Sequence, residues 1–381
     1  MKRKTTVLLL VLIVSSALCQ AQEATFWQKV NYRLTKPAVV DTTFIYQPKA
    51  GFSLGLFSTG QKAGFDMKVD FDLIYDDGTK QPCLSTFNLS ENLCRKIGLE
   101  VGYGNIGFGY GLEVGRRSAQ KKQSFGLNIV GKSWGLHFNY FNLSNPFTTG
   151  IAIGEPGSQD YLEEQWTMEE MAVLSDLSID GYYVFNNKRF AFPAAYKSGL
   201  VQRHTAGSWM VTARYIQGSL YNSPEAAAGS YNLFHCFSTL QASIGGGYSA
   251  NFVLWHKDPT GQRDQGLRNI TVNLTALPVI TLGNYLKTIT YTYDEESNHT
   301  GEKVYKVWCH PVPNYIGSVA ASLTWNQFYF TTQFTYNRFF FRSRDAFNTT
   351  QFDLSEYDLH DVGFHGTFHD WTLKGLFVYR F

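Results

Sequence analysis

Apolar and polar residues alternate along much of the chain with a period of two. Between Phe65 and Tyr75 nearly every second residue is apolar, and charged residues hold most of the positions between them: Asp66, Lys68, Asp70 and Asp72. A β-strand directs successive side chains to opposite faces, so this stretch predicts a strand with one apolar and one charged face. We expect the apolar face, including Phe65, Val69 and Phe71, to contact lipid.

The same alternation recurs in segments of about ten residues, longer than most strands of soluble sheets. Clear examples begin at Leu99, Phe108, Phe125, Trp134 and Phe328. Their second face is rich in Gly, Ser and Thr, and aromatic residues gather near the strand ends. These features are typical of a transmembrane β-barrel, whose apolar face meets lipid. A soluble sandwich has the same periodicity, so a secreted soluble β-protein stays an open alternative.

The segments together predict an all-β fold, a single antiparallel transmembrane β-barrel formed by residues 49–381. At about 25–30 residues for each strand and its share of the loops, this length gives about 12 strands, within a range of 10 to 14. After the N-terminal region, no apolar stretch approaches the roughly 20 residues of a transmembrane helix.

The N-terminal region predicts export. A basic start is followed by an apolar run over residues 7–18 and by a short cleavage sequence. This order is that of a secretory signal peptide. We expect residues 1–21 to be removed by cleavage between Ala21 and Gln22, and residues 22–48 to form a periplasmic or lumen segment.

The C-terminal stretch alternates most strongly. Its apolar face includes Trp371, Leu373, Phe377, Tyr379 and Phe381. Such a stretch resembles the last strand of outer-membrane barrels, which the barrel-assembly machinery reads. We therefore predict that Tyr379 and Phe381 are the assembly signal, that the protein lies in the cell outer membrane, and that its partners are outer-membrane lipid and this machinery.

Composition and net charge argue against a nucleic-acid-binding function. Charged residues make up 17% of the chain, below the roughly 25% of soluble domains. The formal net charge is only +2, whereas a nucleic-acid-binding domain carries a clear basic excess. We therefore predict no nucleic-acid partner. No feature of the sequence indicates a particular oligomeric state.

Charges of both signs fall on the faces predicted to line the lumen: Asp66, Lys68, Asp70, Asp72, Glu100, Glu113, Lys374 and Arg380. The first and last strands of a barrel must meet, so we expect the acidic residues of the early strand to pair with Lys374 and Arg380. Paired charges would crosslink a narrow interior that side chains can fill. Such a lumen would conduct poorly.

Cysteine spacing gives a weaker prediction. Four cysteines follow the predicted signal peptide, and no two have the C-x-x-C spacing of zinc ribbons or redox enzymes. Cys83 and Cys94 bracket a predicted turn, and an oxidising periplasm permits a disulfide between them. Four unpaired, half-buried thiols are the alternative.

Candidate catalytic and metal-binding residues are few. His204 and Ser208 would share one face of a strand, but about 13 Å of strand rise separates them. His365 and His369 have the same spacing, which does not bring two imidazoles to one ion. We therefore predict no enzyme activity and no cofactor or metal. The expected role is passive passage of small solutes or a structural or surface role; a barrel hydrolase acting on lipid or peptide is the alternative.

Two motifs resemble a known family. Residues 180–190 (DGYYVFNNKRF) continue into 193–196 (PAAY), 202–203 (QR) and 206–208 (AGS). They resemble the central motif of an uncharacterised Bacteroidetes family, domain of unknown function 4421. Residues 41–45 (DTTFI) resemble its early Asp-Thr-x-Tyr-Ile motif, with Phe in place of Tyr. The resemblance implies an outer-membrane barrel without an established activity, so no functional residue is carried over.

The small residues of the central motif have a physical meaning of their own. Ala194, Ala195, Ala206, Gly207 and Ser208 leave space beside the backbone. We expect either tight packing between strands or a bulkier element, such as the N-terminal segment or an inward loop, packed against them.

Overall fold

The computed structural model describes residues 39–48, 51–74, 77–90, 94–104, 106–114, 123–159, 161–221, 236–260, 264–293, 299–343 and 359–381. Most of these residues lie in β-strands. Across these ranges, no helix has the length and apolar character needed to cross a membrane. The predicted signal peptide and its cleavage site between Ala21 and Gln22 lie outside the described residues.

The strands follow one another along the chain, and a 3-10 helix at Phe192–Ala195 lies between the eighth and ninth. They are β1 Ile45–Tyr46, β2 Phe52–Ile74, β3 Lys80–Ser90, β4 Cys94–Tyr103, β5 Ile106–Glu113, β6 Gln123–Val130, β7 Trp134–Ile153, β8 Leu162–Val184, β9 Val201–Gln202, β10 Ala206–Tyr221, β11 Cys236–Lys257, β12 Arg268–Tyr293, β13 His299–Trp308, β14 Val312–Trp325, β15 Phe328–Ser343 and β16 Leu359–Arg380.

The long strands form one antiparallel sheet that closes on itself. β16 pairs with both β15 and β2, and β11 pairs with β12, so the strand order closes into a ring. β4 continues the line of β3 along β2, and β14 continues the line of β13 along β12. Each of these pairs fills one position in the wall. The result is a closed barrel of 12 strands, which confirms the predicted fold and strand number.

The wall does not have the same number of strands along its whole height. β5 and β6 are short and lie only in the half of the barrel that contains Phe52 and Phe381, which we call the lower half. In the other, upper half, β3 pairs directly with β7, from Cys83 to Asn88. The wall of the upper half therefore has two strands fewer than that of the lower half.

The exterior of the lower half is apolar. The exposed large side chains there include Leu54, Leu99, Trp209, Leu323 and Phe377. On each strand they alternate with polar or small residues that face the interior, as the period-two pattern predicted.

The two faces of upper β2 are the reverse of those predicted. Phe65, Val69 and Phe71 are 1%, 1% and 5% exposed and face the interior. The Phe65 ring lies 6.2 Å from that of Phe87 on β3. The prediction that these residues contact lipid is wrong, because alternation defines two faces without telling which of them is inside.

The charged residues that alternate with this core lie on the outside. The prediction that they line the lumen is wrong for Asp66, Lys68, Asp70 and Asp72. On the outer surface Asp70 lies 3.5 Å from His365, and Asp66 lies 3.7 Å from His369. Upper β2 thus has an apolar inner face and a charged outer face, as expected for a wall that stands in water.

The predicted disulfide between Cys83 and Cys94 is not formed. Cys83 lies opposite Phe71 and Cys94 lies opposite Gln61 on the same strand, β2. These positions are ten residues apart, or roughly 33 Å, whereas a disulfide requires Cα atoms within about 7 Å. β3 and β4 both run antiparallel to β2, so the chain has the same direction at the two cysteines. Cys83 is buried, with its sulfur 3.7 Å from the Gln81 carbonyl oxygen.

Truncation of Phe65 tests which face of upper β2 is inside. We expect Phe65→Ala to lower the free energy of unfolding by about 3–5 kcal/mol, because it leaves a cavity in a packed core. Asp66→Ala should cost less than about 1 kcal/mol, since it removes only an exposed ion pair. Denaturant unfolding of the refolded protein in lipid vesicles measures both values. Equal losses would show that the assigned faces are wrong.

Candidate functional site

A segment between β8 and β10 folds into the lower mouth of the barrel. We call residues 189–203 the plug segment. It contains the 3-10 helix, whose first turn includes Pro193, and β9. β9 pairs with β1, placing Ile45 opposite Gln202 and Tyr46 opposite Val201. The two motifs that carry the family resemblance therefore meet in one small sheet at this mouth.

Gln202 holds the plug segment together. Its side chain is fully buried. The Nε2 group donates to the carbonyl oxygens of Phe44, Arg189 and His204 at 3.2, 2.7 and 2.9 Å. The Oε1 atom accepts from the Ala191 backbone N–H at 2.8 Å. The Gln202 amide thus binds backbone groups near both ends of the plug segment and one in the N-terminal motif, residues 41–45.

Small residues let the N-terminal motif pack closely against the plug segment. Ile45, Ala191, Ala194 and Leu200 form one buried apolar cluster. The structure shows both arrangements expected for the small residues. Ile45 of the N-terminal segment packs against Ala194, and the Tyr248 ring of the neighbouring strand β11 packs tightly over Gly207. Residues 39–48 therefore lie at the lumen mouth.

Polar side chains of the barrel wall form hydrogen bonds with the plug segment. Asn251 donates to the Ala191 carbonyl and Thr331 donates to the Ala195 carbonyl, each at 2.7 Å. The Tyr196 hydroxyl donates to Asn273 at 2.6 Å. These contacts satisfy backbone carbonyls and a hydroxyl that the lumen would otherwise bury without partners.

Arg380 lies in the lumen and joins several elements at the lower mouth. Its guanidinium is 3.2 Å from the Asp264 carboxylate and donates to the carbonyl oxygens of Ser198 and Asn326 at 2.8 Å. The Tyr46 hydroxyl donates to the other Asp264 oxygen. Burial and this hydrogen bond raise the pKa of Tyr46 to about 12. The predicted pairing of Arg380 with the acidic residues of β2 is wrong.

Among the described residues, a larger and a smaller cavity lie beside the plug segment. The larger, of about 390 Å³, lies above it, with Phe192, Pro193 and Tyr196 among the lining residues. The smaller, of about 110 Å³, lies near the lower mouth. Both are lined by Glu100, Val130, Pro193 and Lys197, so the two cavities meet at these residues.

Most charges that line the larger cavity are paired. Lys374 and Glu100 form an ion pair of 3.1 Å. Arg214 and Asp180 form a second, of 2.8 Å. The Asn337 amide extends that pair: its oxygen accepts from Arg214 at 3.1 Å and its nitrogen donates to Asp370 at 3.2 Å. Lys96 donates to Gln61 at 3.0 Å.

The charged residues that were predicted to line the lumen divide into two groups. Those on β4, β5 and β16 face inward, whereas the four on β2, which are Asp66, Lys68, Asp70 and Asp72, face outward. Glu100, Lys374 and Arg380 line the lumen, but Lys374 pairs with Glu100 and not with β2. Glu113 lies on the inward face of β5, opposite Lys96 of β4.

Glycines on the inner face of the short strands make space for Phe57. A Cβ on Gly98 would collide with the Phe57 ring, and one on Gly111 would come within 3.0 Å of it. The ring in turn lies 5.0 Å from the Lys374 ammonium. Around Gly98 and Gly111 this wall of the cavity is therefore an aromatic ring packed on bare backbone.

Sequence reasoning missed several residues of this site. Asp180 and Lys197 fall within or next to the central motif, but nothing in their spacing shows that the chain turns into the lumen there. On β10, Arg214 lies on the face opposite Val211 and Ala213, so alternation along the strand predicts that its side chain points inward. Asp264 lies in a turn, where an acidic residue is unremarkable.

The residues considered for catalysis have structural contacts. The Ser208 hydroxyl accepts from the Asn186 N–H at 2.9 Å and donates to the Trp209 carbonyl at 2.7 Å. The His204 ring packs edge-on against Phe44. His365 and His369 lie on the outer surface. Among the described residues, no three His, Cys, Asp or Glu side chains are grouped to hold a metal ion.

Tyr379 and Phe381 lie at the lower end of the barrel. Their rings are 4.9 Å apart, and the Phe381 N–H donates to the Phe52 carbonyl at 2.9 Å, beside the start of β2. Their role as an assembly signal stays a prediction.

The fold and site define a class of protein: a closed twelve-stranded antiparallel barrel with a segment of its own chain folded into the lumen. The chain belongs to the family described as domain of unknown function DUF4421, whose model matches residues 39–360. This confirms the resemblance found in the two motifs; the Bacteroidetes origin stays a prediction. Among curated proteins, none matches the chain.

Solved barrels are similar to this chain only at low identity. The outer membrane protease OmpT from Escherichia coli is 11% identical, with 88% of this chain and 99% of that chain covered and a TM-score of 0.34. The β domain of the Bordetella autotransporter BrkA is 9% identical, with 85% and 100% covered and a TM-score of 0.26. A Pseudomonas aeruginosa FadL homologue is 7% identical, with 87% and 91% covered and a TM-score of 0.20. Similarity at this level says nothing about activity.

Removal of the Gln202 amide tests how the plug segment is held. We expect Gln202→Ala to lower the free energy of unfolding by about 2–4 kcal/mol, because buried backbone groups lose their partners. Gln217→Ala, at an exposed position of β10, should change it by less than about 0.5 kcal/mol. Denaturant unfolding in lipid vesicles compares the two. Similar values for both variants would contradict the central role of Gln202.

Proposed function

We propose that this protein is an integral outer-membrane β-barrel whose lumen is closed by its own plug segment, so that it is not an open diffusion pore. The observation that carries the proposal is the continuous apolar exterior of the lower half, combined with a filled interior.

Aromatic residues border the apolar exterior at both ends. Trp209, Trp325 and Phe381 lie at the lower end, while Tyr315 and Trp371 lie at the upper end. On β14, Tyr315 and Trp325 are ten residues apart. At a strand tilt of about 40° this distance corresponds to an apolar band of roughly 25 Å, the height found in outer-membrane barrels. Above the band, β16 and β2 carry charged residues and histidines.

The extent of exposure argues against a secreted soluble β-protein. Trp209, Leu254 and Leu282 are 66%, 68% and 61% exposed. Comparable residues occur on most strands and form a band, whereas soluble monomers rarely expose a contiguous apolar patch above roughly a few hundred Å². Lipid is the solvent that makes such a surface favourable.

The interior supports a closed lumen. The plug segment fills the lower mouth and is held by hydrogen bonds from several strands. In the upper half, aromatic side chains occupy the interior: Phe65, Phe87 and Phe339 are 1%, 3% and 1% exposed. The hydrolase alternative gains no support, because the Ser208 hydroxyl is already engaged on both sides.

Fractionation tests the membrane location. We expect the full-length protein expressed in a Gram-negative host to be found in outer membranes, and its mobility in a gel to change on heating, because folded barrels resist detergent. Alkaline washing should not release it. A periplasmic or secreted soluble protein would contradict the proposal.

Conductance tests the closed lumen. Unmodified protein in planar bilayers should show no stable porin-sized steps. Replacing residues 191–200 with a short Gly-Ser linker should produce such steps, because the wall strands keep their pairing while the lower filling is lost. The same linker in place of residues 155–159, at the other end of the barrel, is the control and should stay closed. Large steps from the unmodified protein would refute the closed lumen.

A further inference from the structure

The charges around the larger cavity do not balance. Among the described lining residues, four cationic side chains, Lys96, Lys197, Arg214 and Lys374, face three carboxylates, Glu100, Asp180 and Asp370. The carboxylates already have partners: Glu100 binds Lys374, Asp180 binds Arg214, and Asp370 accepts from Asn337. Of the two remaining cations, Lys96 donates to Gln61 and lies opposite Glu113 of β5, which leaves one cation to account for.

Lys197 is that cation. In the described part of the chain, no carboxylate lies within ion-pair distance of its ammonium. A Cβ built on Gly107 would lie 3.1 Å from Lys197 Nζ and 3.7 Å from Glu100 Oε1, so the ammonium approaches bare backbone and the edge of the Glu100–Lys374 pair. Lys197 lies where the two cavities meet. The nearest counter-charge, Glu100, is already paired with Lys374, so a bound anion would supply the charge that this buried cation lacks.

The surroundings of Lys197 favour an organic anion over a simple inorganic one. The plug segment adds Phe192 and Tyr196 to the lining, and the wall adds Phe57 and Tyr182. The Phe192 ring packs at 4.8 Å from Tyr182 and at 4.9 Å from Tyr196, which forms an aromatic surface in the same cavity as Lys197. Ligand sites typically combine an apolar lining with a few placed polar groups, in cavities of roughly 300–1,000 Å³.

We propose that the cavity is a binding site for a small organic carboxylate, whose carboxylate group binds Lys197 and whose apolar body packs on Phe192 and Tyr196. The site rests on the plugged lumen of the proposed function and does not depend on the membrane location.

Aromatic acids of matched shape test the proposal without any mutation. Full-length protein in detergent micelles is titrated with 4-fluorobenzoate and with its neutral isostere 4-fluorobenzamide, and binding is followed by fluorine NMR against empty micelles. We expect saturable binding of the acid and at least about tenfold weaker binding of the amide, since a charged hydrogen bond is lost. Equal affinity for the two probes would overturn the proposal. Competition by inorganic phosphate at a similar concentration would overturn the inference that the site prefers an organic anion.

Variants then locate the site. Lys197→Met should weaken 4-fluorobenzoate binding by at least about tenfold, whereas Lys197→Arg keeps the charge and should stay within about threefold. Lys188→Met, an exposed lysine just before the plug segment, is the matched control and should bind like the unmodified protein. Heat-modifiable gel mobility verifies that each variant is folded. Unchanged binding in folded Lys197→Met would overturn the assignment of Lys197.

The pH dependence provides a readout that a purely structural lysine would not give. Burial lowers the pKa of Lys197 to about 8, with opposing contributions from Glu100 and Lys374. His137 of β7 also lines this part of the cavity. Because the ammonium form binds the anion, binding should be strong at neutral pH and should weaken as the pH rises above about 8. Constant affinity from pH 7 to 10 would contradict the proposal, and a conducting lumen in bilayers would leave this binding test unaffected.

Discussion

The structure depends on one geometric constraint: a wall of twelve strands encloses more space than its own inward side chains fill. Small barrels of about eight strands fill their interior with side chains, and the enclosed diameter grows with strand number. In the lower half, the chain adds the plug segment, whose helix and short strand occupy the middle of the lumen. In the upper half, β5 and β6 are absent and the wall is narrower, so Phe65, Phe87 and their neighbours suffice.

A segment inside a barrel must have its backbone groups satisfied, because an unpaired buried N–H or C=O costs about 1–3 kcal/mol. The plug segment has little secondary structure of its own. Its carbonyls are therefore bound by wall side chains such as Asn251 and Thr331, and by the single amide of Gln202. Arg380 and Asp264 extend this network to the last strand and to the turn before β12. The position of the plug segment in the lumen thus depends on the wall and the segment together.

The strand pattern predicted the fold class, because period-two alternation recurs along the wall strands. The twelve strands were predicted from the chain length, at about 25–30 residues per strand. The strand pattern failed for the faces of upper β2. In the lower part of this strand the apolar residues face outward, and in the upper part they face inward. The period of two is the same in both parts, so the change is not visible in the sequence. The disulfide between Cys83 and Cys94 failed for a related reason. A break between two collinear strands resembles a turn in sequence, and only the pairing with β2 distinguishes them. Lys197 was not predicted because its importance comes from contacts between elements far apart in the chain.

The position of the larger cavity above the plug segment has a kinetic consequence. A molecule bound at Lys197 would reach the lower mouth through the smaller cavity, past Ser198 and Gly199 of the plug segment. Its residence time would then depend on how often this part of the plug segment moves, as well as on its own contacts. Because Arg380 donates to the Ser198 carbonyl, substitution of Arg380 would change the rate at which such a molecule exchanges.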